Sequence, residues 1–458
     1  MNSFFHLIDP PADGATPIRV VTKAELADWR ATQPAPVGRW LDASGFRAEN
    51  DATALVPDAE GGVATVLVGR KADAPDLWRL AGLPARLPDG VYRLEAGAEP
   101  AAAALGWALG CYRFTRYKEA KKPLPSLVWP EGIDRAAVTR TAAAIRVARD
   151  LINTPAEDLG PSALAAAARE IAEGAGATFS VIAGDALLEA NYPAIHAVGR
   201  AAADPPRLID LVWGEADAPK VTLVGKGVCF DSGGLGIKSA SQMKLMKKDM
   251  GGAATVLGLA QLVMAAGLPV RLRVLVPAVE NAIAGNAYRP MDVVRTRKGL
   301  TVEIGHTDAE GRVILADALA EAASEQPAVL LDFATLTGAA RVALGPELPA
   351  LFSDDDALAD DLLAHARAVD DPLWRLPLWP GYRKLIDGQT ADITNSADSP
   401  FGGAITAALF LKAFVGDKAG WAHVDTYGWN QTARPGRPKG GEPLGLRAAF
   451  AMLEARFG

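Results

Sequence analysis

Cysteine is nearly missing from this chain: Cys111 and Cys229 are the only two in 458 residues. That excludes a disulfide framework, and with no CxxC pair it also excludes the usual zinc-thiolate and dithiol redox motifs. A reducing, cytoplasmic setting is expected. Long basic runs are missing too. The 47 basic residues are outnumbered by 54 acidic ones, for a net charge of -7. Phosphate backbones are bound by concentrated positive charge, so no nucleic-acid partner is expected. The opening MNSFFHLIDPPADG has no basic leader and does not read as a signal peptide.

Several catalytic signatures are likewise missing. No HExxH pairs a histidine with a second one, so His196 and His423 read as satisfied core or surface histidines. There is no GxSxG elbow, and Cys229 has no motif partner, which disfavours a serine or cysteine nucleophile. The glycine-rich run after Val224 fails both nucleotide fingerprints. Gly225-Lys226 is followed by Gly227 rather than Ser or Thr, and Phe230 stands where the dinucleotide motif needs glycine. Nucleotide binding at that loop is the weaker alternative.

One stretch lacks charge altogether, the 21 residues from Met250 to Val270. It is rich in Gly and Ala, contains Gln261, and meets the stop signals Gly267 and Pro269 too early for a membrane span. A buried core helix is expected, and no membrane partner.

Half of the residues are hydrophobic and 22% are charged, a globular composition with room for more than one domain. The first part carries a strand signal at Val63 to Val68 and an Ala-rich helical segment from Ala101 to about Tyr117. The run KKPLPSLVWPEG, residues 121–132, holds three prolines and is the candidate boundary. The expected division is an N-terminal α/β domain over residues 1–128 and a larger domain over 129–458, joined by a helix over about 134–151. From residue 155 onward helices and strands alternate: helix 162–173, strand 221–224, helix 253–266, strand 271–276, helix 313–324, strand 328–333. This predicts an α/β fold with a mostly parallel sheet flanked by helices. Ligands of such sheets bind outside the carboxyl ends of the strands.

Three polar segments follow apolar strand-like runs. VGKGVCFDSGGLGIK (224–238) places Lys226, Asp231 and Lys238 among glycines, where solvated charge on an ordinary loop is the plain alternative. KLMKKDMGG (244–252) puts Asp249 at the mouth of the uncharged helix, a position that the helix dipole alone explains. VEIGHTDAEGRVILAD (302–317) has Asp308, Glu310 and Arg312 at alternate positions, which in an extended segment project to one side. Converging carboxylates repel unless a cation intervenes. Asp231, Asp249, Asp308 and Glu310 exceed what one catalytic ion takes, which suggests two divalent ions sharing ligands, with hard oxygen donors suited to Mg, Mn or Zn.

These segments, with KKDMGGAAT, HTDAEGR and DFATLTGA, resemble the leucine aminopeptidase (cytosol aminopeptidase) family of dinuclear metallopeptidases. Counted from Lys226, the elements fall at +5, +12, +23, +82, +84 and +86, in the family's register. ARDLINTPAEDLGPSAL, NAYRPMDVV and GAITAALFLKAFVG extend the similarity, so that roughly residue 110 onward resembles the family and the first 100 residues do so only loosely.

The resemblance implies a metal-dependent aminopeptidase that removes the N-terminal residue of peptides through a metal-bridged water. Lys226, Asp231, Asp249, Asp308 and Glu310 would be the ligands of two ions, Mn or Zn with Mg or Co as alternatives, and Asp231 and Glu310 would bridge them. A lysine ligand must be neutral, so the pKa of Lys226 would have to be depressed by burial and two adjacent cations. Lys238 would stabilise the oxyanion, and Arg312 would hold a bicarbonate that acts as general base. Met246, Thr335 and Gly338 would line a pocket favouring Leu and Met, with Leu336 on the leaving-group side. A homohexamer is the expected assembly. The family also supplies the competing reading, a non-catalytic assembly or DNA-binding role. His306 departs from the family, which has Asn before Thr-Asp-Ala-Glu-Gly-Arg. It is expected to take the place of that Asn beside the substrate's leaving-group residue, with plain packing as the alternative.

Overall fold

The computed structural model describes residues 5–11, 14–73, 75–417 and 420–458. The chain divides into two compact units. One comprises Met1–Arg146 with Thr432–Lys439, the other Val147–Gln431 with Gly440–Gly458. The division falls inside the helix Arg135–Asn153, later than the proline-rich run suggests.

The N-terminal unit holds a six-stranded sheet. Its order is Leu7–Ile8, Ser126–Val128, Val91–Ala96, Thr16–Val21, Val63–Gly69 and Thr53–Pro57, parallel except for the last pair. Ile18, Val66, Trp107 and Leu127 anchor its main core. The Ala-rich helix spans Pro100–Gly110 rather than continuing to Tyr117. Beyond Gly110 the chain mixes aromatic and basic residues without an apolar helical stripe, so nothing holds a further turn against the core.

The larger unit is built on a nine-stranded sheet. Across it run Trp374–Arg375, Ala350–Phe352, Trp421–Asp425, Val329–Ala334, Lys220–Gly225, Arg271–Asn281, Arg207–Trp213 and Thr178–Ala183, while Gly227–Asp231 pairs with the second half of Arg271–Asn281. The four central strands, from Trp421–Asp425 to Arg271–Asn281, are parallel. Arg207–Trp213, Thr178–Ala183 and Ala350–Phe352 add antiparallel pairs toward the edges. Val221, Leu223, Leu330, Leu331, Val274 and Leu275 are buried, as strands covered on both faces require.

The uncharged stretch forms the helix Gly251–Ala266, ended by Gly267 in the left-handed conformation. The run Met246–Ala266 is long and apolar enough to cross a membrane by composition, yet 83% of its most apolar window is buried inside the molecule. It is the central core helix. Its start lies so close to the sheet that a Cβ at Gly252 would stand 2.0 Å from the Phe333 carbonyl, so only glycine permits the contact.

Candidate active site

The functional side chains gather at the carboxyl ends of the parallel strands, where no neighbouring ladder consumes the loop backbone and side chains can converge. Lys226 leaves Lys220–Gly225, Asp231 ends Gly227–Asp231, Thr335 follows Val329–Ala334, and Tyr427 follows Trp421–Asp425. Together they border a cavity of about 350 Å³. Of the residues singled out from the sequence, Lys226, Asp231, Lys238, Met246, Asp249, Asp308, Arg312, Thr335, Leu336 and Gly338 line it. Glu310 lies buried behind this lining, 2.9 Å from the Lys226 ammonium. His306 is exposed, outside the lining.

The segment 306–312 is not extended, contrary to the alternation argument. His306 to Ala309 form a turn closed by a bond from the Ala309 N–H to the His306 carbonyl at 3.2 Å, and a helix begins at Glu310. Two residues along a helix are about 200° apart, so Glu310 and Arg312 leave in different directions. Asp308 and Glu310 converge nevertheless, because the turn folds the chain back onto the helix start. One carboxylate oxygen each from Asp231, Asp308 and Glu310 lie within 4.8 Å of one another.

Two lysines are threaded through these acids. Lys226 Nζ is 2.6 Å from Asp249 Oδ2, and it donates to the Thr335 carbonyl at 3.1 Å. Lys238 Nζ lies 2.8 Å from Asp231 Oδ2 and also pairs with Asp308. The acids around Lys226 by themselves favour its charged form; the depression expected of a ligand lysine belongs to the site with two cations beside it. Burial works against its charge, but Asp249 and Glu310 outweigh that and hold its pKa above the ordinary range. A ligand role therefore requires cations to displace that proton.

The acids show the opposite strain. Burial, reinforced by Asp231, pushes Glu310 up to about 8, and burial with Asp249 beside it pushes Asp231 up to about 6. At Asp249 burial is outweighed by Lys226 and Lys248, which leave its carboxyl below the usual range. Glu310 Oε2 is buried without a hydrogen-bond partner, while Asp249 Oδ2 and Asp308 Oδ1 are met only by the ammonium groups of Lys226 and Lys238. Buried carboxylate oxygens of this kind are ready-made donors for hard divalent cations, so the residues present fit a metal centre.

Residues outside the predicted site, together with Thr335, hold the acids in place. Asn281 Nδ2 donates to Asp231 Oδ1 at 2.8 Å and to the Thr307 carbonyl at 3.1 Å, tying two of the ligand-bearing loops together. The Tyr288 hydroxyl donates to the same carbonyl at 2.5 Å. Asn395 Oδ1 accepts the Gly305 N–H at 2.8 Å and the His306 N–H at 3.2 Å, while its Nδ2 donates to the His306 carbonyl at 2.9 Å. Thr335 Oγ1 donates to Asp249 Oδ1 at 2.9 Å. Asp425 accepts the N–H groups of Leu336 and Thr337, which fixes the loop before the Gly338–Leu344 helix. A Cβ at Gly311 would lie 2.5 Å from Lys226 Cε, so glycine there is what lets the helix start abut the lysine. Tyr288 and Gly311 lay inside quoted segments with no role assigned to them, and Asn281, Asn395 and Asp425 lay outside every motif.

His306 Nδ1 accepts the Asp308 N–H at 3.0 Å, a bond that an asparagine side-chain oxygen makes in an Asx turn. His196 faces Asp185 and His423 faces Asp332, each away from the acid cluster.

Residues 146–449 match the family model described as the cytosol aminopeptidase family, catalytic domain, and residues 16–130 match the M17 aminopeptidase, N-terminal domain. Likeness to the family thus reaches well into the first 100 residues, further than the motifs alone carried it. A probable cytosol aminopeptidase of Roseiflexus castenholzii is 42% identical over 379 residues, covering 78% of this chain and 77% of that protein. The crystal structure of a cytosol aminopeptidase from Coxiella burnetii superposes with a TM-score of 0.95 at 49% identity, covering 99% of this chain and all of that one. The bottromycin maturation enzyme BotP in complex with Mn superposes at 0.87 with 35% identity, over 97% of this chain and 100% of its own.

Proposed function

This chain belongs to the cytosol aminopeptidase family of metallo-exopeptidases, and from that premise we propose that it hydrolyses the first peptide bond of peptides with a free α-amine at the cavity described above. The observation that carries this reading is the convergence of Asp231, Asp308 and Glu310 oxygens within 4.8 Å, with Lys238 paired to two of those acids.

Lys226, Asp231, Asp249, Asp308 and Glu310 would hold two divalent ions, which when bound supply electrophilic activation of the carbonyl and a bridging water acidic enough to attack it. Manganese is our first choice of metal, since the similar BotP is found in complex with Mn. Lys238, held at the cavity wall by Asp231, donates to the oxyanion that develops on the scissile carbonyl. A preorganised donor in such a position is worth roughly 3 to 4 kcal/mol. Arg312 holds a small anion, bicarbonate, that takes the water's proton. Met246, Thr335 and Gly338 receive the N-terminal side chain, with Leu and Met preferred within a broad range, and Leu336 borders the leaving-group side. Assembly as a homohexamer completes the proposal and is checked by analytical ultracentrifugation.

Hydrolysis of Leu-p-nitroanilide tests the reading. Activity is expected with added Mn, lost on chelation and restored by Mn, Co or Zn. Full activity in a chelated protein free of metal would overturn it.

A further inference from the structure

The cavity lining carries two chemically different groups of side chains. Its carboxylates, Asp231, Asp249 and Asp308, stand with Lys226 and Lys238 at the strand termini. The second group is cationic and aromatic: Lys248, Arg341 and Tyr427. Lys248 Nζ lies 4.8 Å and Arg341 Cζ 5.1 Å from the centre of the Tyr427 ring, so both cations are in cation–π reach of one aromatic side chain.

The two cations differ in what answers their charge. Lys248 is buried, 4.0 Å from Asp249 Oδ1. Arg341 is exposed and makes no ion pair or side-chain hydrogen bond to any described residue. Arg341 and Gly338 both line the cavity, with Arg341 Nη2 3.9 Å from where a Cβ on Gly338 would stand. A stacked guanidinium keeps the N–H groups on its edge available, and their fork matches a carboxylate. Arg341 is thus held in a binding posture, at the wall formed by Gly338, with its charge unanswered.

We propose that Arg341, beside Tyr427 and Lys248, extends the apolar pocket to N-terminal side chains that carry a carboxylate, favouring glutamate and aspartate over their neutral amides and disfavouring N-terminal lysine and arginine. The inference rests on the aminopeptidase reading and narrows its substrate class. Met246 and Thr335 take the apolar stem of the side chain, so leucine and methionine remain substrates. A terminal carboxylate adds the pair with Arg341, whereas a terminal ammonium meets two like charges.

The test compares Glu-, Gln-, Leu- and Lys-p-nitroanilide with the Mn-containing enzyme. Glu and Gln differ in charge at nearly constant shape, so their ratio isolates the ion pair. kcat/KM for Glu is expected to exceed that for Gln by about tenfold, a modest value for a partly exposed pair, with Lys lowest. R341Q should bring the Glu/Gln ratio close to one, and R341E should place Lys above Glu. Affinity for free glutamate against free glutamine, read by calorimetry, should follow the same order. Leu hydrolysis with a Glu/Gln ratio near one in the unmodified enzyme, or an order unmoved in R341E, would overturn this inference alone. Hydrolysis of none of the four would overturn it together with the aminopeptidase reading.

Discussion

Arg312 Nη1 donates to the backbone carbonyl of Asn395 at 2.8 Å, while its buried Nε has no hydrogen-bond partner. Asn395 therefore fixes the guanidinium and leaves part of it free at the cavity wall, where an anion can be held. Arg312→Ala should lower kcat less than Lys238→Ala, because solvent base partly replaces a bound anion. It should also abolish any stimulation by added bicarbonate. Lys238→Ala should cost on the order of a hundredfold or more in kcat with metal content unchanged. Loss of metal from the Lys238 variant, measured by elemental analysis, would make it a ligand-site residue instead.

Asp231→Ala and Glu310→Ala should each reduce bound metal below two ions per chain and nearly abolish activity, since each removes a ligand assigned to both ions. Mass spectrometry of the intact protein under native conditions counts the ions directly. Two ions retained in either variant would contradict the bridging assignment.

Gly311→Ala should be costly although glycine carries no chemistry. The added methyl would stand 2.7 Å from Lys226 Nζ, and Lys226 is buried with no slack to retreat. Overpacking of this kind costs about 1–3 kcal/mol. A lowered melting temperature together with a raised Kd for Mn is the expected pair of results. Unchanged Mn affinity would show that Lys226 tolerates displacement.

His306→Asn should keep both metals and leave stability within about 0.5 kcal/mol, because Asn can accept the Asp308 N–H that His306 Nδ1 now accepts. His306→Ala should cost more by orphaning that N–H. Across a Leu-Xaa dipeptide panel His306→Asn should change kcat/KM unevenly, most for charged Xaa. A uniform panel would reduce His306 to a packing role, and loss of metal would make it a ligand.

The buried pair His423–Asp332, 2.5 Å apart, predicts a pH-dependent contribution to stability. Burial opposes a charged His423, but Asp332 more than offsets it and raises the imidazole above its ordinary 6.5. A raised histidine contributes fully below pH 6.5, and the contribution is lost as pH rises through the higher folded value. Denaturant unfolding should show Asp332→Asn destabilised by roughly 3 kcal/mol near pH 6, with the gap narrowing toward pH 9. A gap that does not change with pH would mean that His423 is neutral throughout.

The alternating apolar strands and helices, the buried character of Gly251–Ala266 and the spacing of Lys226, Asp231, Asp249, Asp308 and Glu310 were all legible in the sequence. They are local or strictly ordered features, since period, stop signals and motif register survive in one dimension. Only the tertiary structure decided that Glu310 opens a helix after a turn, because the bonds that close the turn depend on Asn395, about 90 residues away. The same holds for Asn281, which joins Asp231 to Thr307, and for Tyr427, which gathers Lys248 and Arg341 from two other segments. An apolar specificity pocket followed from Met246, Thr335 and Gly338 in the sequence, yet the cavity also has a cationic wall. Neighbours on different strand termini leave no periodic trace, so the charge that a substrate side chain meets is set by the sheet order that brings those termini together.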